Sequence, residues 1–179
     1  MTAAAQGLRR AVFLDRDGVL NRAVVRNGKP FPPQSVAEFE ILDGVPDALR
    51  EIRRRGYLAI VVTNQPDVAR GTQSRETVEA MNRLLQGAGP IDDVLVCYHT
   101  DADDCCCRKP RPGMLLAAAR TWNIDLGNSV MVGDRWRDIE AGQAAGCRTI
   151  FIDYQYDEPH GQADQIVDSL ISAVQYIPE

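Results

Sequence analysis

The chain reads as an α/β protein, a three-layer α/β/α sandwich with a mainly parallel, doubly wound sheet, and three observations predict it. Short apolar runs alternate with helical patterns along its 179 residues. These runs are apolar throughout and do not alternate with polar residues, as expected of parallel strands covered on both faces. Several end in acidic, hydroxyl or amide side chains, which puts polar chemistry at the sheet edge where open α/β folds bind ligands. Strand and helix alternation with right-handed crossovers then gives the layers.

The first strand is predicted over Val12–Asp15, where the apolar run breaks into Asp15-Arg16-Asp17-Gly18. An irregular stretch, Asn21–Asp43, follows, with Gly28, Pro30, Pro32 and Pro33. Val45–Arg55 carries Val45, Leu49 and Ile52 on one helical face and stops at Gly56. After a strand at Leu58–Thr63, a helix over Ser74–Gln86 opens on Ser74 and continues through Val78, Met81, Leu84 and Leu85. Val94–Tyr98 is the third strand, His99–Arg111 a second irregular stretch, and Pro112–Trp122 an Ala- and Leu-rich helix. Strand Ser129–Gly133, helix Arg137–Ala145 ending at Gly146, strand Thr149–Asp153 and helix Ala163–Tyr176 complete the series. No repeat, low-complexity tract or linker divides the sequence, so residues 1–179 are expected to form one domain. Neither irregular stretch is long enough for a cap domain. Both are expected to border an open site, since long loops in compact domains are commonly functional.

Composition narrows the function classes. A chain 45% hydrophobic and 25% charged is ordinary for a globular protein. No apolar stretch approaches the ~20 residues that span a bilayer. The net charge of −5 argues against general nucleic-acid binding. Met1–Arg10 has no apolar segment behind its basic pair and does not read as a signal peptide, so a cytoplasmic location is expected.

Asp15 and Asp17 are suited to a division of labour in which Asp15 attacks and binds a metal, Asp17 moves a proton, and Gly18 lets the chain turn. A strand cap followed by a turn explains this stretch equally well on its own. Later strand ends add to it. Thr63-Asn64 offers a hydroxyl and an amide suited to phosphate oxygens, or ordinary turn chemistry. Arg108-Lys109-Pro110 places two cations before a helix, where they would neutralise a polyanion or form an exposed basic pair. Gly133-Asp134 is followed four residues on by Asp138, and Asp134 would complete an oxygen cage for Mg²⁺ with Asp15 and the Asp17 carbonyl. Alternatively these acids simply favour the positive end of a helix.

The order Asp-x-Asp-Gly, Thr-Asn, Lys-Pro, Gly-Asp-x-x-x-Asp resembles the four motifs of the haloacid dehalogenase superfamily over about residues 11–153. The resemblance implies Mg²⁺-dependent phosphoryl transfer through an aspartyl phosphate. Asp15 is then the nucleophile, Asp17 the general acid and base, Thr63 and Lys109 the stabilisers of the phosphoryl group, and Asn64 a neighbour of the substrate. Asp15, Asp17 and Asp134 are the implied Mg²⁺ ligands.

Four of the five cysteines fall within residues 97–107. Cys97-x-His99 followed by Cys105-x-Cys107 gives three thiolates and one imidazole, a set suited to structural Zn²⁺, with Cys106 left over. Free thiols or a redox pair are the alternatives, and neither explains why the cluster directly precedes Arg108-Lys109. Cys147 is expected to be a small buried hydrophobe. This framework, followed by Arg-Lys-Pro, is similar to the branch holding histidinol phosphatases and D-glycero-D-manno-heptose 1,7-bisphosphate phosphatases. It implies Cys97, His99, Cys105 and Cys107 as zinc ligands in a loop of about residues 97–107. Arg108 and Arg135 are implied at substrate-binding positions.

Val62-Thr63-Asn64-Gln65 and Arg108–Met114 look more like the heptose enzymes, implying hydrolysis of the 1,7-bisphosphate to the heptose 1-phosphate. Histidinol phosphate or another small phosphomonoester is the alternative substrate. Departures fall in the specificity loop, about residues 21–43, at Pro66-Asp67, and at Arg135, where a Lys is frequent. A phospho-receiver signalling domain, the reading from another class, needs an acceptor Asp at the end of the third strand and finds Cys97-Tyr98-His99. The expected partner is a small phosphorylated metabolite, with no nucleic acid or membrane, bound by a monomer.

Overall fold

The computed structural model describes residues 7–179, so Met1–Gln6 of the segment read for a leader lies outside the described residues. Strands β1 (Arg10–Leu14), β4 (Tyr57–Asn64), β5 (Asp93–Cys97), β6 (Val130–Gly133), β7 (Arg148–Ile152) and β8 (Gln165–Val167) form one parallel sheet. Its order is β5-β4-β1-β6-β7-β8, so β1 lies between β4 and β6, and the winding direction reverses at β1 and β6. Counting only the sheet strands, the order is that of a doubly wound dinucleotide-type sheet and not that of a receiver domain. Such a reversal opens a crevice at the carboxyl ends of the strands, and Asp15 and Asp134 stand on its two sides.

The uniform apolarity of the strands follows from burial on both faces. Val12 and Leu14 of β1 face one core with Leu49 and Ile52 of helix α1 (Val45–Arg54) and Val174 of helix α5 (Leu170–Val174). Ala11 and Phe13 face the other, with Leu115 and Ala118 of helix α3 (Gly113–Trp122) and Ala141 of helix α4 (Trp136–Ala145). Helix α2 (Arg75–Gln86) is capped by the Ser74 hydroxyl, which accepts from the Thr77 amide. Its buried stripe is Val78, Met81, Asn82 and Leu85, while Leu84, expected in the core, is exposed. Cys147 is buried, as expected, and burial pushes its thiol up to about 12.

Two expectations are corrected. The helix expected over Ala163–Tyr176 is shortened to α5, because Gln165–Val167 pairs with β7 as a sixth strand. Asp164 anchors the entry to β8 by accepting from the Thr149 amide and hydroxyl, and Ser169 caps α5 by accepting from the Ser172 amide. The stretch Asn21–Asp43, expected to be irregular, contains a hairpin of β2 (Val24–Arg26) and β3 (Lys29–Phe31), turned by Asn27 and Gly28 at positive φ. No helix among the described residues is long and apolar enough to cross a membrane.

Candidate active site and metal centres

β1 delivers Asp15 to the crevice, where its amide donates to the Val132 carbonyl of β6 at 3.0 Å. Lys109 Nζ lies 2.9 Å from Asp15 Oδ1 and 2.6 Å from Asp138 Oδ1, and donates to the Val62 carbonyl at 2.8 Å. Burial alone would lower the lysine, but the Asp138 and Asp15 charges outweigh it and keep it protonated. Asn64 secures the lysine from behind: its amide donates to the Lys109 carbonyl at 3.0 Å, and its oxygen accepts from the Lys109 amide at 3.1 Å. Asn64 therefore acts on the backbone carrying Lys109 as well as bordering the cleft.

Asp15, Asp134 and Asp138 present buried oxygens within 4.8 Å of one another. Lys109 pairs with Asp15 and Asp138, so three ionised carboxylates in this cluster would carry more negative charge than that one lysine offsets. Burial, followed by the Asp138 charge, raises Asp15 to about 7 against the pull of Lys109. Burial and the Asp15 and Asp138 charges raise Asp134 well above the carboxylate range. Both Asp134 oxygens are buried without a hydrogen-bond partner. Buried carboxylate oxygens without hydrogen-bond partners and an excess of negative charge fit a hard divalent cation such as Mg²⁺. Gly18 leaves room for this arrangement: at φ +88° it adopts a backbone that favours glycine, and a Cβ there would lie 1.9 Å from Asp134 Oδ2. The Asp17 side chain turns elsewhere. It accepts from Gln65 Nε2 at 2.7 Å, Asn21 Nδ2 at 2.9 Å and the Arg16 guanidinium at 3.1 Å.

The cleft in front of these groups has a volume of about 320 Å³. Asp15, Asp17, Asn64, Arg108, Lys109 and Arg135 line it, together with Lys29 and Phe31 of the hairpin and Arg70, Asp101, Arg137, Asp138 and Glu158. Thr63 and Asp134 lie behind it. The Thr63 hydroxyl accepts from Gln65 Nε2 at 2.9 Å. Arg108 and Arg137 share Asp101, whose carboxyl their hydrogen bonds and charges lower to about 2. Arg135 is paired with Glu158 through Nε at 2.8 Å and through Nη2. Sequence reasoning left Asp138 without a role and missed Asn82, Arg16, Arg137 and Asp101. Only Asp138 carried a signal, being one helical turn past Asp134 in Gly-Asp-x-x-x-Asp.

The second cluster is assembled from the end of β5 and the loop after it. Cys97, Cys105 and Cys107 sulfurs are 3.2–3.7 Å apart, and His99 Nδ1 lies 3.4 Å from Cys107 Sγ and 3.6 Å from Cys97 Sγ. A tetrahedron with Zn–S bonds of about 2.3 Å has S···S edges of about 3.8 Å, so these spacings suit Zn²⁺. Cys106 is exposed, and its backbone carbonyl packs against Gly113, where a Cβ would come within 2.2 Å. Burial raises Cys105, but bonds from Cys107 and the Arg108 backbone outweigh it and lower the thiol to about 7. Burial raises Cys97 and Cys107. One partly ionised thiol beside two protonated ones is the crowding that a cation relieves.

Comparison with known proteins gives the same picture. The HAD-hydrolase-like family matches residues 106–173. The chain is 39% identical over 149 residues to the D-glycero-beta-D-manno-heptose-1,7-bisphosphate 7-phosphatase of Pasteurella multocida, covering 77% of this chain and 78% of that one. It is 38% identical over 158 residues to the D-glycero-alpha-D-manno-heptose-1,7-bisphosphate 7-phosphatase of Burkholderia mallei, covering 80% and 79%. The crystal structure of D,D-heptose 1,7-bisphosphate phosphatase from B. bronchiseptica, complexed with magnesium and phosphate, superposes with a TM-score of 0.77 at 29% identity over 93% of this chain and 97% of that one. With its strand order, its acid cluster around Lys109 and these likenesses, the chain belongs to the heptose-1,7-bisphosphate 7-phosphatase family of HAD-like hydrolases.

Proposed function

We propose that the protein is a Mg²⁺-dependent phosphatase that removes the 7-phosphate of D-glycero-D-manno-heptose 1,7-bisphosphate and leaves the heptose 1-phosphate. The observation that carries this reading is the buried trio Asp15, Asp134 and Asp138, with Lys109 paired to Asp15 and Asp138 and the Tyr156 phenol acting on the Asp134 carboxyl. Asp15, the Asp17 carbonyl and Asp134 hold the cation, as the relatives' motif implies. When bound, Mg²⁺ offsets the repulsion between the phosphate dianion and the attacking carboxylate.

Asp15 forms a bond to phosphorus as the bond from phosphorus to the sugar oxygen breaks, and Asp17 gives that oxygen its proton. Asp17 then takes a proton from water as the water oxygen bonds to phosphorus and the bond from Asp15 to phosphorus breaks, which releases phosphate. Lys109 favours the ionised Asp15 carboxylate against the burial that raises it, and faces the phosphoryl oxygens. The Thr63 hydroxyl steadies the same group, and the Asn64 amide keeps Lys109 in place. Arg108 and Arg135, in the cleft wall, face the rest of the substrate, and the hairpin loop of residues 21–43 selects it. Cys97, His99, Cys105 and Cys107 would hold a Zn²⁺, which would stiffen the loop that leads directly into Arg108 and Lys109. Expected partners are the phosphorylated sugar alone, with the monomer as the working unit.

The test compares kcat/KM for both heptose 1,7-bisphosphate anomers, histidinol phosphate and a small aryl phosphate. A preference for one heptose anomer over histidinol phosphate supports the assignment, and a preference for histidinol phosphate overturns it. Phosphate release that persists in Asp15→Asn would overturn the aspartyl mechanism itself.

A further inference from the structure

Arg16 stands between the two front carboxylates, and its side chain has no solvent exposure. A guanidinium is stable in such a place only when its fixed donors are met. Nε and Nη2 donate to Asp17 at 3.3 Å and 3.1 Å. Nη1 points the other way, into helix α2, and donates to Asn82 Oδ1 at 3.0 Å. Phe39 lies over the guanidinium at 5.8 Å from its ring centre.

Asn82 is the anomaly of α2. It shares a buried stripe with Val78, Met81 and Leu85, where the helical pattern calls for an apolar residue. An amide there is unfavourable unless it is hydrogen-bonded, and its oxygen is met by Arg16.

We propose that Asn82 is a positioning residue for proton transfer, fixing the direction of the Asp17 carboxylate through Arg16. The guanidinium is a rigid planar fork, so anchoring Nη1 fixes the edge that carries Nε and Nη2. Without the anchor, a buried Nη1 seeks another acceptor and turns that edge away from Asp17. Asn21 and Gln65 still donate to Asp17, so the carboxylate stays in the site but loses its set direction. The inference rests on Asp17 being the proton-transfer group, and the test separates the two claims.

Asn82→Leu keeps the size and removes the acceptor, while Asn82→Asp keeps the acceptor. The readout is kcat/KM, which reports steps through departure of the leaving group. A sugar alkoxide must be protonated to leave, whereas p-nitrophenolate leaves unprotonated. N82L is expected to lower kcat/KM for heptose 1,7-bisphosphate about tenfold or more, part of the ~10²–10⁴-fold that a positioned acid contributes. Under the same reasoning p-nitrophenyl phosphate changes by less than about twofold, and N82D restores the bisphosphate to within about threefold of wild type. Equal losses on both substrates, no loss on either, or no restoration by N82D overturns the proposal. If N82L does not fold, Asn82→Ala is read by the same criteria. Asp17→Asn serves as the reference: if it too affects both substrates equally, the assignment of Asp17 fails and the Asn82 proposal fails with it. If it separates them and N82L does not, only the Asn82 proposal fails.

Discussion

Asp138 Oδ1 stands 2.6 Å from Lys109 Nζ, closer than Asp15 Oδ1 at 2.9 Å. The lysine is thus held by a carboxylate on helix α4 and only shared with Asp15. Both carboxylates lie at hydrogen-bond distance, so Asp138 takes a share of the lysine's charge that Asp15 would otherwise hold alone.

Removing that hold shifts the lysine onto Asp15. Asp138→Ala is expected to lower kcat at least about tenfold, equivalent to roughly 1.4 kcal/mol of barrier, with zinc content unchanged. Steady-state kinetics and metal analysis on the same preparation check it. A kcat within twofold of wild type would show that Lys109 does not need Asp138.

Gly18 offers a test of the cation site that deletes no ligand but crowds one of them. In Gly18→Ala the new Cβ, 1.9 Å from Asp134 Oδ2, displaces that carboxylate, and φ +88° adds backbone strain. The Mg²⁺ concentration for half-maximal activity is expected to rise about tenfold or more, a loss of roughly 1.4 kcal/mol in binding. A magnesium titration decides it, and an unchanged midpoint would sink the assignment.

The acids also make stability depend on pH in a definite direction. Asp15, at about 7, and Asp134, also raised, hold more protons folded than unfolded. Metal-free stability therefore falls as pH rises from the ordinary carboxylate value near 3.8 toward about 7 for Asp15, and Asp134 adds a loss in the same direction. Mg²⁺ favours the ionised forms and removes that loss. The Tm increment from Mg²⁺ is expected to be larger at pH 8 than at pH 5, by at least about 1 kcal/mol or roughly 2–4 °C. An increment independent of pH would be falsifying.

The thiol cluster predicts a contrast within one loop. Cys107→Ser is expected to lose bound zinc and to lower Tm by more than about 5 °C, since structural zinc contributes of the order of 10 kcal/mol to folding. Cys106→Ser, at an exposed position outside the tetrahedron, keeps both. Metal analysis and thermal denaturation of the pair test this, and zinc retained by C107S refutes the ligand set.

Arg108 lies in the cleft wall beside Asp101, outside the Asp15, Asp134 and Asp138 cluster. Arg108→Ala is expected to lower kcat/KM for the bisphosphate about tenfold while changing an aryl phosphate less than about threefold, the loss being a charge-assisted contact to the larger substrate. Equal losses on both would assign Arg108 to the chemistry.

The strand ends were legible in the sequence because burial on both faces makes each strand an unbroken apolar run, and Asp15, Asp134 and Thr63-Asn64 mark where β1, β6 and β4 give way to the crevice. The thiol framework was legible because Cys-x-His and Cys-x-Cys each place two ligands on one side of a short segment. Asn82 was illegible for the converse reason. A lone amide on a helix carries no spacing signal, and the pattern preferred Leu84 for the core because only apolarity is visible in one dimension. β8 was hidden because Gln165–Val167 is too short to display a period, and its pairing with β7 is a long-range contact. Arg137 and Asp101 acquire their relation to Arg108 only through the packing of α4 against the loop after β5.

The position of β1 between β4 and β6 also constrains how the molecule comes into being. Asp15 is made early in synthesis, while Lys109, Asp134 and Asp138 come much later, and the Asp15 amide finds its Val132 partner only when β6 docks. Domains dominated by such distant pairings close slowly, since the chain between the strands must be ordered first. A nascent chain halted before Gly133 therefore carries Asp15 without Asp134 and Asp138, the later members of the acid cluster. The acid cluster is complete only once β6 and the helix after it have docked beside β1.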